Sequence, residues 1–293
     1  MSKKQNKYAG DQPKVQLNGA SSYLGLGRPI DLYDGVTSLA VLCTVITAVA
    51  VTVWKYMTGF SFYDAGMSGI GTALGFLFSF VIAQELDPDR KIGGLVGGGL
   101  TIICSVMFGE GNILVLLWLL FILRMLNRTS GDHHRIGDNI LIIGTAIWLG
   151  VDGYWLYPLM TGAIYAVESQ ITGGLLRSLY LAGIAMAGAI FANFSDIVPS
   201  LSMVYIYIIG FTFIIFLPEL RVAAFTQFKG DKSGKRISYK RLQTAQGVFL
   251  FICFFLPFFH GDEQALALMP ALMAAIGCGC YLFASLLQQK IAK

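Results

Sequence analysis

The chain has 293 residues, of which 55% are hydrophobic and only 13% are charged. Soluble domains average about 25% charged residues, so this chain has too little charge to cover a globule in water and must face lipid. The same composition excludes a disordered chain, a coiled coil, a disulfide-bonded scaffold and a soluble nucleotide-binding enzyme. Its net charge is +4, as expected for a membrane protein whose basic loops fix its orientation. We therefore expect no nucleic-acid partner.

The apolar runs predict one transmembrane domain over 36–288, between a polar cytoplasmic tail over 1–35 and a C-terminal tail over 289–293. The first run begins near Val36, which is late for a signal peptide, and it lacks a small-residue cleavage site. A bilayer core of about 30 Å needs roughly 20 apolar residues in a helix, since backbone in lipid must satisfy its own hydrogen bonds. The predicted spans are 36–58, 66–84, 92–108, 112–126, 138–151, 154–170, 178–194, 201–218, 245–260 and 264–288.

The number of spans depends on Asp152-Gly153, which divides the apolar stretch 138–170 in two. The divided stretch places every Lys and Arg except Lys55 on the cytoplasmic side, together with both termini, as the positive-inside rule requires. One span fewer would put the tail and the basic loop 219–243 on opposite sides. We therefore predict an all-α polytopic integral membrane protein of about ten transmembrane helices with both termini cytoplasmic, in a bacterial inner membrane.

Two predicted spans, 112–126 and 138–151, are shorter than a bilayer core requires. Three interpretations are open: these spans tilt little, they thin the bilayer locally, or they are half-helices that line a cavity. The sequence does not distinguish among them.

Three polar side chains that precede apolar runs predict helix starts. They are Asp87, which is followed by Pro88, and Asn112 and Asp138. Asp and Asn accept hydrogen bonds from the free N–H groups of a first helical turn, and proline suits the first helical position. Pro270 lies inside the last predicted span and is expected to kink it.

Glycines recur at four-residue spacing in the third predicted span, as Gly93 with Gly97 and Gly94 with Gly98. Small residues at this spacing let transmembrane helices approach closely. The spacing predicts either packing within the chain or a face for a homo-oligomer. Membrane lipids are the other expected partners.

Two cytoplasmic loops hold the densest polar residues. The first contains Glu85, Asp87 and Asp89, and the second runs from Arg124 to Asp138. They follow the second and fourth predicted spans, so they could face one another. Carboxylates at this spacing beside basic side chains suit a divalent cation that bridges a diphosphate.

These loops predict a site for Mg²⁺ and a phosphorylated ligand. The candidate metal ligands are Glu85, Asp87, Asp89 and Asp132, and the candidate substrate-binding residues are Arg124, Asn127, Arg128 and Arg135. Guanidinium groups suit the second role because they bind phosphate oxygens in pairs. The alternative interpretation is structural, with acidic residues that cap helices and basic residues that orient the chain.

The segment Gln84-Glu85-Leu86-Asp87-Pro88-Asp89 is similar to the first acidic motif of membrane prenyltransferases of the UbiA type, which lies at the cytoplasmic end of their second helix. The resemblance covers this loop alone. The Asn-Asp that leads the family's motif is absent, and the loop that holds the family's second acidic motif offers only Glu168 and Arg177 here. We therefore do not identify the chain as a member of that family.

Three functions are compatible with these observations. A carrier or flippase for an apolar or amphipathic solute is favoured by the number of spans, the glycine content and the prolines, and it is our expectation. A membrane enzyme that acts at the cytoplasmic face on a phosphorylated isoprenoid or phospholipid is favoured by the two polar loops. A non-catalytic subunit of a membrane complex is favoured by the scarcity of charge within the spans and by the basic loop 219–243. The sequence does not decide whether the chain is an enzyme.

Overall fold

The computed structural model describes residues 23–28, 31–193 and 200–291, with side chains described as far as Gln288. Most of the predicted tail over 1–35 lies outside the described residues. Within the described ranges the protein is all-helical and has no β-strand. The helices are α1 (Gly35–Met57), α2 (Phe62–Leu86), α3 (Ile92–Phe108), α4 (Ile113–Asn127), α5 (Ile136–Val151), α6 (Leu156–Gln170), α7 (Leu176–Ala187), α8 (Met203–Val222), α9 (Tyr239–His260), α10 (Asp262–Ala267) and α11 (Met269–Ile291).

Five helices in the described part of the chain are long and apolar enough to cross a membrane, namely α1, α2, α8, α9 and α11. The prediction of an all-helical integral membrane protein is confirmed at this level. Helices α3, α4, α5 and α7 are apolar but shorter. The predicted total of about ten spans, like the orientation of the termini, stays a prediction.

The ends of helices α1 to α9 fall into two separate groups, so these helices run in alternating directions. At one end, called here the ionic end, ion pairs link the starts of α1, α3 and α9 and the ends of α2, α4, α6 and α8 with one another. These pairs are Asp34–Lys91, Glu85–Arg124, Glu168–Arg128, Glu168–Arg241 and Glu219–Arg90. At the opposite end, Ser68 near the start of α2 donates to Glu110 beyond α3, and Tyr157 near the start of α6 donates to Gln264 of α10.

Helix α4 lies at the centre of the bundle. Its sequence ILVLLWLLFILRMLN has no polar face before its last turn, and a helix that is apolar all round is buried. Trp118, Leu119 and Ile122 are fully buried, and α4 packs against α2, α5, α6 and α9. The indole N–H of Trp118 donates to the hydroxyl of Thr161 at 3.0 Å, so its polar atom is also satisfied. This fixed central helix positions the polar residues that follow it at the ionic end.

The glycine faces of α3 pack inside the chain. Gly97 lies against the backbone of α11 at Ala274, and Gly98 lies against the ring of Phe76 in α2. The interpretation of these faces as internal packing is therefore confirmed, while the predicted homo-oligomer stays a prediction.

The predicted helix start at Asp87 is wrong. Asp87 is the C-cap of α2, and α3 begins only at Ile92. The carboxylate of Asp87 pairs with Arg90 in the connecting turn at 2.6 Å, so it does not accept from the first turn of α3. The local sequence predicts that Asp87 caps α3, but its side chain forms an ion pair within the turn between α2 and α3.

The other two predicted caps have different outcomes. Asn112 is the N-cap of α4, and its side chain accepts from the backbone N–H of Leu114 at 2.9 Å, as predicted. Asp138 is not the N-cap of α5, because the helix begins earlier, at Ile136, but it is the N3 residue of a capping box with Arg135. From the first turn of α5 its carboxylate accepts from the backbone N–H of Arg135 at 2.8 Å.

The last predicted span, 264–288, is divided into two helices at Leu268. Pro270 has no N–H to donate, and its ring excludes a helical carbonyl at Leu266. Proline is accepted in the first turn of a new helix, and α11 begins at Met269. The expected kink is therefore a complete break between α10 and α11.

Candidate functional site

The two predicted polar loops meet at Glu85, which lies in the last turn of α2 and is fully buried. Its Oε1 accepts from Nη1 of Arg28 and from Nε of Arg124, both at 3.1 Å. Its Oε2 accepts from the hydroxyl of Thr129 at 2.5 Å, and its carbonyl accepts from Nδ2 of Asn127 at 2.6 Å. We call this group the Glu85 cluster. It joins the ends of α2 and α4.

Arg28 extends the Glu85 cluster to the loop between α8 and α9. Its Nε donates to the carboxylate of Asp231 at 2.5 Å. Burial alone would lower the pKa of Arg28, but the carboxylates of Glu85 and Asp231 outweigh burial and raise it above its ordinary value. Two guanidinium groups thus face two carboxylates, and both oxygens of Glu85 already have donors. The Glu85 cluster is a closed, electrically balanced contact.

A second buried carboxylate, Glu168, lies near the end of α6. Its Oε1 accepts from Arg128 at 2.8 Å and from Arg241 at 3.0 Å. Its Oε2 accepts from the hydroxyl of Ser178 and from the backbone N–H of Leu175. This Glu168 cluster fastens α6 to α4, α7 and α9, and it holds more positive than negative charge.

Arg241 belongs to the predicted basic loop 219–243 but turns into the protein, where it is 3% exposed. Its guanidinium donates to the carbonyl oxygens of Leu126 at 2.7 Å and Thr172 at 3.1 Å. The last carbonyls of a helix have no partner within the helix, and Leu126 lies in the last turn of α4. Arg241 therefore donates a hydrogen bond to a carbonyl group in the last turn of α4 that has no partner within the helix.

The segment 23–28 is bound across the ionic end. The backbone N–H of Gly25 donates to Oδ2 of Asp138 at 2.7 Å, and the side chain of Leu26 is fully buried. Together with the ion pairs of Arg28, these contacts fix the segment to α2, α5 and the loop between α8 and α9.

The predicted substrate-binding side chains are directed at oxygen atoms of the protein itself: Arg124 and Asn127 at Glu85, Arg128 at Glu168, and Arg135 at Asp132. A phosphorylated ligand would have to exchange with these partners. Binding of such a ligand by these residues stays a prediction.

The predicted metal ligands are divided among separate places. Glu85 lies in its own cluster, Asp132 pairs with Arg135 at 2.8 Å, and Asp87 and Asp89 line one cavity. Over the residues that the structure describes, no group of three or more His, Cys, Asp or Glu side chains is arranged to hold a metal ion. Mg²⁺ stays a prediction, and Asp87 with Asp89 are the two carboxylates that could still share it.

That cavity lies at the ionic end, between the ends of α2 and α8 and the start of α9, and its volume is about 240 Å³. We call it the acidic cavity. It is lined by Leu86, Asp87, Asp89, Arg90, Glu219, Val222, Ala223, Phe225, Gln227, Leu242 and Gln246. Asp89, Phe225 and Gln227 are exposed, so they form a mouth on the surface of the protein.

Arg90 is the one cation among the side chains that line the acidic cavity. Its Nε donates to Asp87 at 2.6 Å, and its Nη2 donates to Glu219 at 2.5 Å. Burial raises the pKa of Asp87, and the hydrogen bond and charge of Arg90 offset this only in part. Asp89 contributes a third carboxylate, so the lining has an excess of negative charge.

Two residues that line the acidic cavity each have one buried oxygen without a hydrogen-bond donor in the described structure. These oxygens are Oε1 of Glu219 and Oε1 of Gln246, and each residue is 1% exposed. The amide of Gln246 is oriented by its nitrogen, which donates to the carbonyl of Leu86 at 2.7 Å. A buried acceptor without a donor costs about 1–3 kcal/mol, so two on residues that line one cavity point to a ligand that supplies donors.

Glu219 and Gln246 were not among the residues predicted from sequence. The sequence prediction ends a span at residue 218 and places Glu219 in the basic loop. In the structure α8 continues to Val222, so Glu219 lies within the helix. The sequence feature that could have indicated Glu219 is a carboxylate next to Pro218 at the end of an apolar run. Gln246 is a polar residue in the first turn of the predicted span 245–260.

Comparison with known proteins gives no match: no family model, no curated protein and no solved structure is significantly similar to this chain.

Proposed function

We propose that the protein is a membrane carrier or flippase for an amphipathic solute, and that the polar group of the solute binds in the acidic cavity. The observation that supports this most is the mixed lining of the cavity. Carboxylates and an amide oxygen occupy part of it, while apolar side chains such as Leu86, Val222 and Leu242 occupy the rest. Binding sites for amphipathic molecules combine these two features, with a few polar groups that fix orientation in an apolar surface.

The proposal includes about ten crossings of a bacterial inner membrane with both termini cytoplasmic. It is supported by the alternation of helix ends between the ionic end and the opposite end. Nearly all Arg and Lys side chains of the described residues lie in or beside the ionic end, whereas Asp64, Glu110 and Asp152 lie at the opposite end. The positive-inside rule then assigns the ionic end, and the acidic cavity with it, to the cytoplasm.

Movement of a solute requires that the wall of the cavity opens. Helices α8 and α9, which form that wall, carry Pro218 and Pro257 in their interiors. A proline removes one backbone hydrogen bond from its helix and favours a bend. Pro218 directly precedes Glu219, so a bend in α8 would move a carboxylate of the binding site.

The test is reconstitution into sealed liposomes with fluorescent amphiphiles that carry cationic, zwitterionic, neutral or anionic head groups. We expect at least one amphiphile to cross faster than in protein-free liposomes. Glu219→Gln should slow that crossing about tenfold, because it removes a charge-assisted hydrogen bond at the site. Glu110→Gln is the matched control, because Glu110 is exposed at the opposite end.

Two results would contradict the carrier. One is a wild-type protein that moves none of these amphiphiles, and the other is equal transport by wild type and Glu219→Gln.

The second candidate function is a cytoplasmic-face enzyme that acts on a phosphorylated lipid with a divalent cation. It is favoured by the contact between the two predicted polar loops at Glu85 and by the presence of Asp87 and Asp89 in the neighbouring cavity. Magnesium-dependent turnover of a lipid phosphate or diphosphate, in the absence of solute movement, would favour this enzyme over the carrier.

A further inference from the structure

We infer that the acidic cavity binds a primary ammonium group, so that the solute is an amphipathic amine. Transport of that amine rests on the proposed function, whereas its binding does not. The inference is supported by the charge of the cavity, by its free acceptors and by its shape.

The charge of the cavity favours a cation. Asp87 and Glu219 share one guanidinium group, that of Arg90, and Asp89 is a third carboxylate in the lining. Asp87 and Glu219 are both buried, where water screens their charge poorly and the attraction for a cation is strong. A ligand with one positive charge would reduce the excess negative charge, whereas an anion would increase it.

The free acceptors favour a cation that carries N–H groups. Oε1 of Glu219 and Oε1 of Gln246 both lack a donor and both belong to residues that line the cavity. An ammonium group has three N–H donors and no acceptor, so it can satisfy both oxygens together. A quaternary ammonium carries the same charge but has no N–H, and it would leave both oxygens unsatisfied.

The shape of the cavity favours an amine with an apolar body. The cavity of about 240 Å³ is larger than a single bare ion needs. Val222, Ala223 and Leu242 supply apolar surface beside the carboxylates, and removal of apolar surface from water stabilises a bound ligand. The exposed ring of Phe225 lies at the mouth, where the apolar end of the ligand would emerge.

The groups that face Glu219 come from three elements. Asp87 and Arg90 belong to the connection between α2 and α3, Gln246 belongs to α9 and lines the same cavity, and Cys278 of α11 is a further neighbour. None of these adds a second cation to the lining. The position next to Glu219 therefore favours a positively charged donor from outside the chain.

The experiment measures binding to the purified full-length protein in detergent, with hexylammonium, hexyltrimethylammonium and hexanoate as probes. Hexylammonium should bind at least about tenfold more tightly than hexyltrimethylammonium, because only it donates hydrogen bonds. Hexanoate should not bind measurably. Sodium chloride at the same concentration should have no effect on the melting temperature, whereas hexylammonium should raise it.

Substitutions at Glu219 and Gln246 test whether hexylammonium binds in the acidic cavity. Glu219→Gln should weaken hexylammonium about tenfold, and Gln246→Met should weaken it by a smaller factor, since it removes a neutral acceptor. Glu110→Gln should bind as wild type does. Glu219→Asp, which keeps the charge but shortens the side chain, should bind with intermediate affinity, so a loss in Glu219→Gln cannot be attributed to misfolding alone.

Equal affinity for the two hexyl cations, the same stabilisation by sodium, or unchanged binding by Glu219→Gln would each overturn the inference. Binding of hexylammonium without movement of any amphiphile across liposomes would overturn the carrier and leave the ammonium site intact. Movement of amphiphiles by a protein that does not bind hexylammonium would overturn the ammonium site alone.

Discussion

The three buried glutamates at the ionic end of the described structure differ in the number of cations that donate to them. Glu85 and Glu168 each accept from two guanidinium groups, whereas Glu219 shares the single guanidinium of Arg90 with Asp87. A buried charge is tolerated when it is paired and hydrogen-bonded. The first two carboxylates are therefore satisfied structural contacts, and the third retains the capacity to bind.

Glu168→Gln tests the structural role of such a contact. Glutamine can accept hydrogen bonds but leaves Arg128 and Arg241 without their buried counter-charge. We expect the free energy of unfolding to fall by about 3–5 kcal/mol, the cost of removing one partner of a buried ion pair. Thermal or denaturant unfolding in detergent measures this change, and an unfolding curve that coincides with wild type would contradict it.

The matched control is Glu110→Gln. Glu110 is exposed and accepts from the hydroxyl of Ser68. Its replacement should change the free energy of unfolding by less than about 1 kcal/mol, as is usual for exposed charged side chains.

At the scale of residues, a contact is easier to predict from sequence when its two partners are close together along the chain. The cap at Asn112 was predictable because its partners are the next residues along the chain. The partner of Glu219 is Arg90, which lies 129 positions earlier. No local sequence pattern indicates such a pair. Asp87 is a different case, because its partner Arg90 is only three residues away. A helix cap and a short-range ion pair are both local interactions, and the sequence does not show which of the two an Asp at this position makes.

At the scale of elements, the lengths of the central helices follow the sequence prediction closely. Helices α4 and α5 have 15 and 16 residues, about 23 Å of helix at 1.5 Å per residue. This is less than a hydrocarbon core of about 30 Å.

The contact between α3 and α11 depends on glycine at the point of closest approach. A methyl group added at Gly277 would overlap the backbone of Gly93 and Gly97, whereas one added at Gly99 meets nothing within 4 Å. Gly277→Ala should therefore lower the free energy of unfolding by about 1–3 kcal/mol through overpacking.

Gly99→Ala is the matched control, because it makes the same substitution on α3 away from the contact. It should be neutral or should stabilise by up to about 1 kcal/mol, since alanine favours a helix. Melting curves of the two variants in the same detergent make the comparison, and equal shifts would show that the backbone contact is not as close as described.

At the scale of the whole molecule, the two ends of the bundle should face opposite sides of the membrane. Lys235 and Asp152 are exposed at the ionic and opposite ends respectively. We expect Lys235→Cys to react with a membrane-impermeant maleimide only in inside-out vesicles, and Asp152→Cys only in right-side-out vesicles. Wild type is the control for the native cysteines, which are at most partly exposed. Labelling of both variants from one side would contradict the proposed orientation.

Positions of helices were predictable from sequence, but the order in which they pack was not. Lipid requires long apolar helices wherever the chain crosses it, so each predicted span overlaps a helix. Helix α11 packs against α2, α3 and α8, which are remote from it along the chain. All of these helices present similar apolar surfaces, and the sequence does not show which of them a given face will contact.

The binding of segment 23–28 across the ionic end has a consequence for biosynthesis. The segment leaves the ribosome before the residues that hold it, Glu85, Asp138 and Asp231. Its contact with Asp231 can form only after Asp231 has been translated, when helices α1 to α8 have already been made. Docking of this segment is therefore a late step of assembly, and a nascent chain truncated before Asp231 would lack one of the two carboxylates that hold Arg28.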